Sequence, residues 1–234
     1  MKNRKNNLKI IFNHLKEIHV HRSWVAYYGK ICGLSKRQLF IHDLSKYSYI
    51  EFSEHIKYYS EDKPSRINCI EMNGYSREYL HHIGRNPHHY EYWMDNYDTG
   101  ATPLRMPYKY AVEMLCDILA IGHIFALNSE KQFMYMDGLK YFIAKIDTAC
   151  GMHCDDKKFI YLVLRNLKNI DHIPISNDRQ TMKYVLQDKF LNASILKDLY
   201  DYSRELSDED FNNIRESVEH PPKERGVTDV LRSR

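Results

Sequence analysis

The stretch from Tyr108 to Leu127 constrains this chain more than any other. It carries the spacing of a long helix and is apolar on nearly all sides. A helix of that kind has to be buried, so the remaining elements must wrap around it. Its most apolar part, Met114 to Leu127, is too short to span a bilayer and contains Asp117 and His123. Glu113 and Asp117 lie one turn apart on this helix. Two carboxylates on one face of a buried helix repel each other unless a cation or a proton lies between them. A lysine ion pair is the plain solution and a metal ion is the sharper one.

No window shows sustained period-two alternation, whereas period-3.6 patterns recur, so the fold class is all-α. A length of 234 residues suits one large domain or a domain with a small appendage, and 43% hydrophobic content permits a sizeable core. Lys plus Arg number 34 against 31 Asp plus Glu, a net charge of only +3, which argues against a chain built mainly to grip nucleic acid. The five cysteines are odd in number and scattered, so they read as free thiols of a reducing cytoplasm. Cys150-Gly-Met-His153-Cys154 lacks a second pair with zinc spacing. The basic N-terminus, MKNRKNNLKIIF, has neither the apolar core nor the cleavage site of a secretory signal. The expectation is a soluble cytoplasmic protein with no membrane partner.

Leu8, Ile11, Phe12, Leu15 and Ile18 space an amphipathic first helix, on which His14, Ile18, His21 and Val25 share one stripe. Gly33 is its expected C-cap. Ser35 to Gln38 has capping-box spacing and opens a second helix, on which Leu39, His42, Asp43 and Lys46 would form one face. Ser48 to Glu51 opens a third. Ser60 to Arg66 reads as a loop. Ser76 should cap a short helix that ends at Gly84, and Asn86 should cap another with Pro87 at its first position. The doublets His81-His82 and His88-His89 then flank one tight corner. Tyr97 to Pro107 reads as a loop. Further helices are expected from about Asp155, over about 179–190 and 193–206, and after Ser207, with a charged tail from Lys223.

The chemistry concentrates at Ile41-His42-Asp43-Leu44-Ser45-Lys46. A histidine beside an aspartate offers a cation a neutral nitrogen and an anionic oxygen. A buried, unpaired carboxylate is costly, so Asp43 must be paired with Lys46 or bound to metal.

The order His21, His42-Asp43, Asp117 on successive helices resembles the HD superfamily of metal-dependent phosphohydrolases. His-Asp-Leu-Ser-Lys46 is similar to the H-D-x-G-K element of the HD-GYP phosphodiesterases, with Ser45 in place of glycine and the GYP signature absent. A closer resemblance is to an uncharacterised family of small bacterial and phage proteins. Its blocks stand here as His21 to Val25, His42 to Phe52, His81 to Trp93 and Met106 to Asp117.

These resemblances imply an HD-domain-like helical bundle over residues 1–175 and additional C-terminal helices and tail over 176–234. They imply one or two divalent metal ions held by His21, His42, Asp43 and Asp117, extended to a second metal by His81 or His82 and by His88 or His89, with His82 and His89 slightly favoured. Mixed imidazole and carboxylate ligands suit manganese, iron, cobalt, nickel or zinc. The implied reaction is hydrolysis of a phosphate ester or anhydride of a small molecule, foremost a nucleotide. Asp43 would bridge two metals, Lys46 and Arg85 would contact phosphate, and Glu113 would act as an orienting group or general base. The rival readings are a di-iron oxygenase and a non-catalytic module with a structural metal.

Overall fold

A computed structural model describes residues 2–95, 100–128, 151–168 and 191–219. The described chain is all-α. Its helices are α1 (Lys2–Ile31), α2 (Lys36–Ile41), α3 (Tyr49–Tyr58), α4 (Ser65–Asn73), α5 (Arg77–Arg85), α6 (Tyr108–Asn128), α7 (Cys154–Lys168), α8 (Ala193–Tyr202) and α9 (Asp208–Glu219). Two 3-10 turns, Leu44–Tyr47 and Tyr90–Tyr92, sit beside α2 and α5. The expected loop before α6 contains a two-residue antiparallel ladder, Met94–Asp95 against Thr102–Pro103. Among the described residues, no helix is long and apolar enough to cross a membrane.

The central helix is where its apolarity requires. Ala111, Val112, Leu115, Cys116 and Ala120 of α6 are fully buried, and α1 is its most extensive helical neighbour. From α1, Trp24, Val25 and Tyr28 enter the same core, joined by Phe159 to Leu164 of α7 and by Leu196 and Tyr200 of α8. The stripe His14, Ile18, His21 and Val25 is buried as its spacing predicts. Leu8, Phe12 and Leu15 are exposed, so the first turns of α1 are not apolar on their inner face alone.

Local chemistry explains the helix ends. Ser35, Ser48 and Ser76 each accept a hydrogen bond from the backbone N–H three residues on, at 3.2, 3.3 and 3.1 Å. Ser207 does the same for Asp210 at 3.0 Å. Gly33 ends α1 with φ of 81°. Leu34 N–H donates to Gly29 O at 2.8 Å and Gly33 N–H to Lys30 O at 3.4 Å, the two bonds of a Schellman ending.

Three sequence expectations are corrected. The second helix stops at Ile41, and Asp43 turns into the left-handed region with φ of 55° and ψ of 20°. His42, Asp43 and Lys46 therefore do not share a helix face. Gly84 lies inside α5, whose C-cap is Asn86, because the backbone ladder runs on to Asn86 N–H and His82 O at 3.1 Å. No helix starts at Asn86. Its side chain instead donates back to His82 O at 2.8 Å, and His88 and His89 lie in the turn that follows. The expected helix over 179–190, the boundary between 175 and 176, Cys150 and the tail from Lys223 lie outside the described residues.

The approach to α6 is clamped from the C-terminal side. Met106 N–H donates to Asp156 Oδ2 of α7 at 2.9 Å, and Tyr200 of α8 donates its hydroxyl to Met106 O. This clamp fixes where α6 begins, and with it the positions of Glu113 and Asp117. Burial pushes the Asp156 carboxyl up to about 7.

Two outcomes follow. A Cβ at Gly33 would lie 2.7 Å from Ala193 Cβ and would also suffer the left-handed backbone. Gly33→Ala should cost about 2 kcal/mol in denaturant unfolding. Asp156 is protonated in the fold and ionised in the unfolded chain between pH about 4 and 7, so its presence lowers stability as pH rises through that window. Asp156→Asn keeps an acceptor for Met106 N–H. It should be more stable than the parent by on the order of 3 kcal/mol at pH 8, with the gain vanishing near pH 4. Parallel urea titrations across that range measure it.

Candidate metal centre

Four separate segments bring donor atoms to Asp43. His21 comes from α1, His42 and Asp43 from the break after α2, His82, His88 and His89 from the end of α5 and the turn beyond it, and Asp117 from α6. Asp43 is the only non-glycine residue with positive φ among the described residues. Aspartate tolerates that conformation better than most residues, yet it still costs on the order of 1 kcal/mol. The kink aims its carboxylate inward, where it is 1% exposed.

The two oxygens of Asp43 face two different donor sets. Around Oδ2 lie His21 Nε2 at 3.2 Å and His42 Nε2 at 3.6 Å. Asp117 Oδ1 completes this set, 2.9 Å from His21 Nε2 and 3.7 Å from His42 Nε2, and the two imidazole nitrogens are 3.4 Å apart. Around Oδ1 lie His82 Nε2 at 3.4 Å and His88 Nε2 at 3.5 Å, with the His89 ring packed against both. Donors sharing one ion at bond lengths of about 2.1 Å are separated by roughly 3–4 Å, which is the spacing here. Each set, His21-His42-Asp43-Asp117 and Asp43-His82-His88-His89, has donor atoms all within 4.8 Å of one another.

A further ring of carboxylates aims the imidazoles. Glu113 Oε1 accepts from His42 Nδ1 at 2.8 Å and lies 3.4 Å from His88 Nδ1. Its Oε2 accepts from Gln38 Nε2 at 2.6 Å. Glu51 accepts from His82 Nδ1 at 2.9 Å and from His81 Nδ1 at 2.6 Å. A histidine whose Nδ1–H is given to a carboxylate turns its Nε2 lone pair to the opposite side, the arrangement typical of metal-binding histidines. With both Glu113 oxygens committed, an orienting role fits it and the expected general-base role does not.

The electrostatics call for cations. Asp43, Glu51, Glu113 and Asp117 converge with one ammonium, Lys46, whose Nζ is 2.6 Å from Asp43 Oδ2 and which is about one-third exposed. Burial would raise the Asp43 carboxyl, but Lys46 and the surrounding histidines outweigh it and hold it well below the usual range. Burial would likewise raise Glu113, yet His42 and His88 bring it down to about 2. His42 is driven toward its neutral form by burial, and burial with the adjacent His88 and His82 takes His89 down to about 2. Both oxygens of Asp43 and Nε2 of His88 are buried without a properly directed hydrogen bond. Asp43 Oδ1 and His88 Nε2, left without partners among imidazole nitrogens and carboxylates, fit one or two divalent cations.

All the residues singled out in the sequence as ligands meet here, joined by His88, which the sequence reading passed over in favour of His89. Glu51 was visible only as the end of a capping box. The left-handed kink that unites the doublets' histidines with Asp43 has no local signature at His42-Asp43. Arg85 is exposed on the last turn of α5, outside the buried set. A smaller group, His153, Cys154 and Asp155, is sequence-local and partly exposed at the start of α7.

The family model of DUF5662, a family of unknown function, matches residues 10–166, about two thirds of the chain, and the chain belongs to that family. No curated protein and no solved structure matches it.

Loading the protein with manganese, iron, cobalt, nickel or zinc should stabilise it, by about 2.7 kcal/mol at one hundred times the dissociation constant. His42→Ala should lose that response in thermal melts, and elemental analysis should find its metal content reduced. A parent protein whose melting is indifferent to all five ions would remove the metal reading.

Proposed function

We propose that this DUF5662 protein is a metal-dependent phosphohydrolase acting on a phosphate ester or anhydride of a small molecule, with a nucleotide as the favoured class. The observation that carries the reading is the division of Asp43 between two surroundings, one oxygen toward each of two histidine sets, with a lysine beside it. The resemblance to HD-type phosphohydrolases supports it through His21, His42-Asp43 and Asp117.

Divalent ions held there supply a Lewis acid and a water of lowered pKa. The chain's own residues do the rest. Asp43 joins the two donor sets, and Glu113 and Glu51 keep His42, His88 and His82 in the tautomer that presents Nε2. Lys46 neutralises Asp43 in the metal-free protein. With cations at Asp43, its ammonium is repelled from that carboxylate's neighbourhood unless an anion intervenes, and a phosphoryl oxygen is such an anion. Its partial exposure leaves it free to swing.

The test separates the catalytic reading from a structural metal. Lys46→Ala should keep metal and fold but release phosphate about 100-fold more slowly, while His42→Ala should lose both metal and activity. The assay is phosphate release across nucleotides and simple phosphate esters with each metal. An unchanged rate in Lys46→Ala removes the phosphate-contact role. Release from no ester with any metal leaves a structural metal module.

A further inference from the structure

A cavity of about 350 Å3 opens beside the metal cluster and extends along α1. At one end stand His21 and Lys46. At the other stand His14, His55, Arg66 and Glu78. His14 and His21 share the buried stripe of α1 and are two turns apart, so the cavity runs roughly 10 Å from the cluster. Its volume suits one small molecule.

The far end holds three orphaned polar atoms. His14 Nδ1, Arg66 Nε and Glu78 Oε2 are buried and have no hydrogen-bond partner. Their surroundings hold them in place. The Arg66 guanidinium lies 3.6 Å over the Tyr79 ring. The other oxygen of Glu78 faces His55 Nδ1 at 3.3 Å, and Ser65 Oγ lies 2.9 Å from the same nitrogen. Buried polar groups are normally satisfied, and Arg66 and Glu78 both line this cavity, so the unpaired donor and acceptor they carry ask for a complementary ligand.

The chemistry narrows that ligand. A second phosphate would be drawn to Arg66 but repelled by Glu78. A metal ion is a poor fit as well, although His14, Glu17 and His55 are close enough to share one. The His14 and His55 rings stack at 3.5 Å with planes 10° apart, and a point between parallel imidazoles lies in the plane of neither. What satisfies both Arg66 and Glu78 is an uncharged edge carrying both an acceptor and a donor. Building on the phosphohydrolase reading, we infer that this end of the cavity recognises the nucleobase of a nucleotide whose phosphate lies at the metal cluster, with Arg66 donating and Glu78 accepting.

Binding to the metal-loaded full chain, followed by calorimetry, tests this without requiring turnover. The probes are the common nucleoside 5′-monophosphates, ribose 5-phosphate and inorganic phosphate. At least one nucleotide should bind ten-fold or more tightly than ribose 5-phosphate. Arg66→Met, which keeps packing on Tyr79, and Glu78→Gln, which replaces the acceptor by an amide, should each cut that advantage at least five-fold. Neither should alter metal content or affinity for inorganic phosphate. Equal binding of nucleotides and ribose 5-phosphate, or variants that keep the full advantage, overturns the inference. So does an additional bound metal that His14→Ala removes. Base discrimination without phosphate release from any ester supports the inference and removes hydrolysis instead.

Discussion

A carboxylate withdrawn from water on all sides organises this protein. Asp43 is 1% exposed, sits on a left-handed backbone and directs each oxygen toward a different group of imidazoles. Burying that charge is tolerable only because opposite charge or a cation surrounds it. The elements that supply the compensation are α1, the 3-10 turn carrying Lys46, the corner after α5, and α6, and α1 and α6 share the hydrophobic core. The site thus depends on the packing of α1 against α6, and that packing depends on the clamp at Met106 from α7 and α8.

The arrangement of acids is layered. Asp43 and Asp117 face the imidazole Nε2 atoms, while Glu113 and Glu51 take the Nδ1 hydrogens behind them. Each layer has a separate physical task. The inner acids attract cations, and the outer acids fix ring orientation and tautomer so that the lone pairs point inward. This division also explains why two acids one turn apart on α6 coexist in a buried setting. Glu113 is held by hydrogen bonds to His42 and Gln38 with His88 alongside, and Asp117 is paired with His21.

Much of the fold was legible because it rests on local rules. Ser35, Ser48, Ser76 and Ser207 cap helices through bonds that span three residues, and Gly33 ends α1 because glycine accepts φ of 81°. The buried stripe from His14 to Val25 followed from its spacing alone. The errors fell where a non-local demand overrode the pattern. Leu39, His42, Asp43 and Lys46 have the spacing of a helix face, but a continued helix would not deliver Asp43 to the histidines beyond α5. Asn86 and Pro87 look like a helix start, yet the Asn86 side chain is already engaged with His82 and Ser45.

The sequence by itself determined the all-α class, the central place of the Tyr108–Asn128 helix and the types of residue available for a metal centre, because apolar periodicity and side-chain chemistry belong to the chain before it folds. Tertiary structure decided which atoms meet. It enlisted His88 beside His89, gave Glu51 to the histidines of α5, turned Glu113 outward from the inner shell and left Arg85 exposed while placing Arg66 in the cavity. These outcomes depend on the left-handed turn at Asp43 and on how far α5 runs before its corner. Both are set by contacts between residues 21 to 71 positions apart, which no local pattern records.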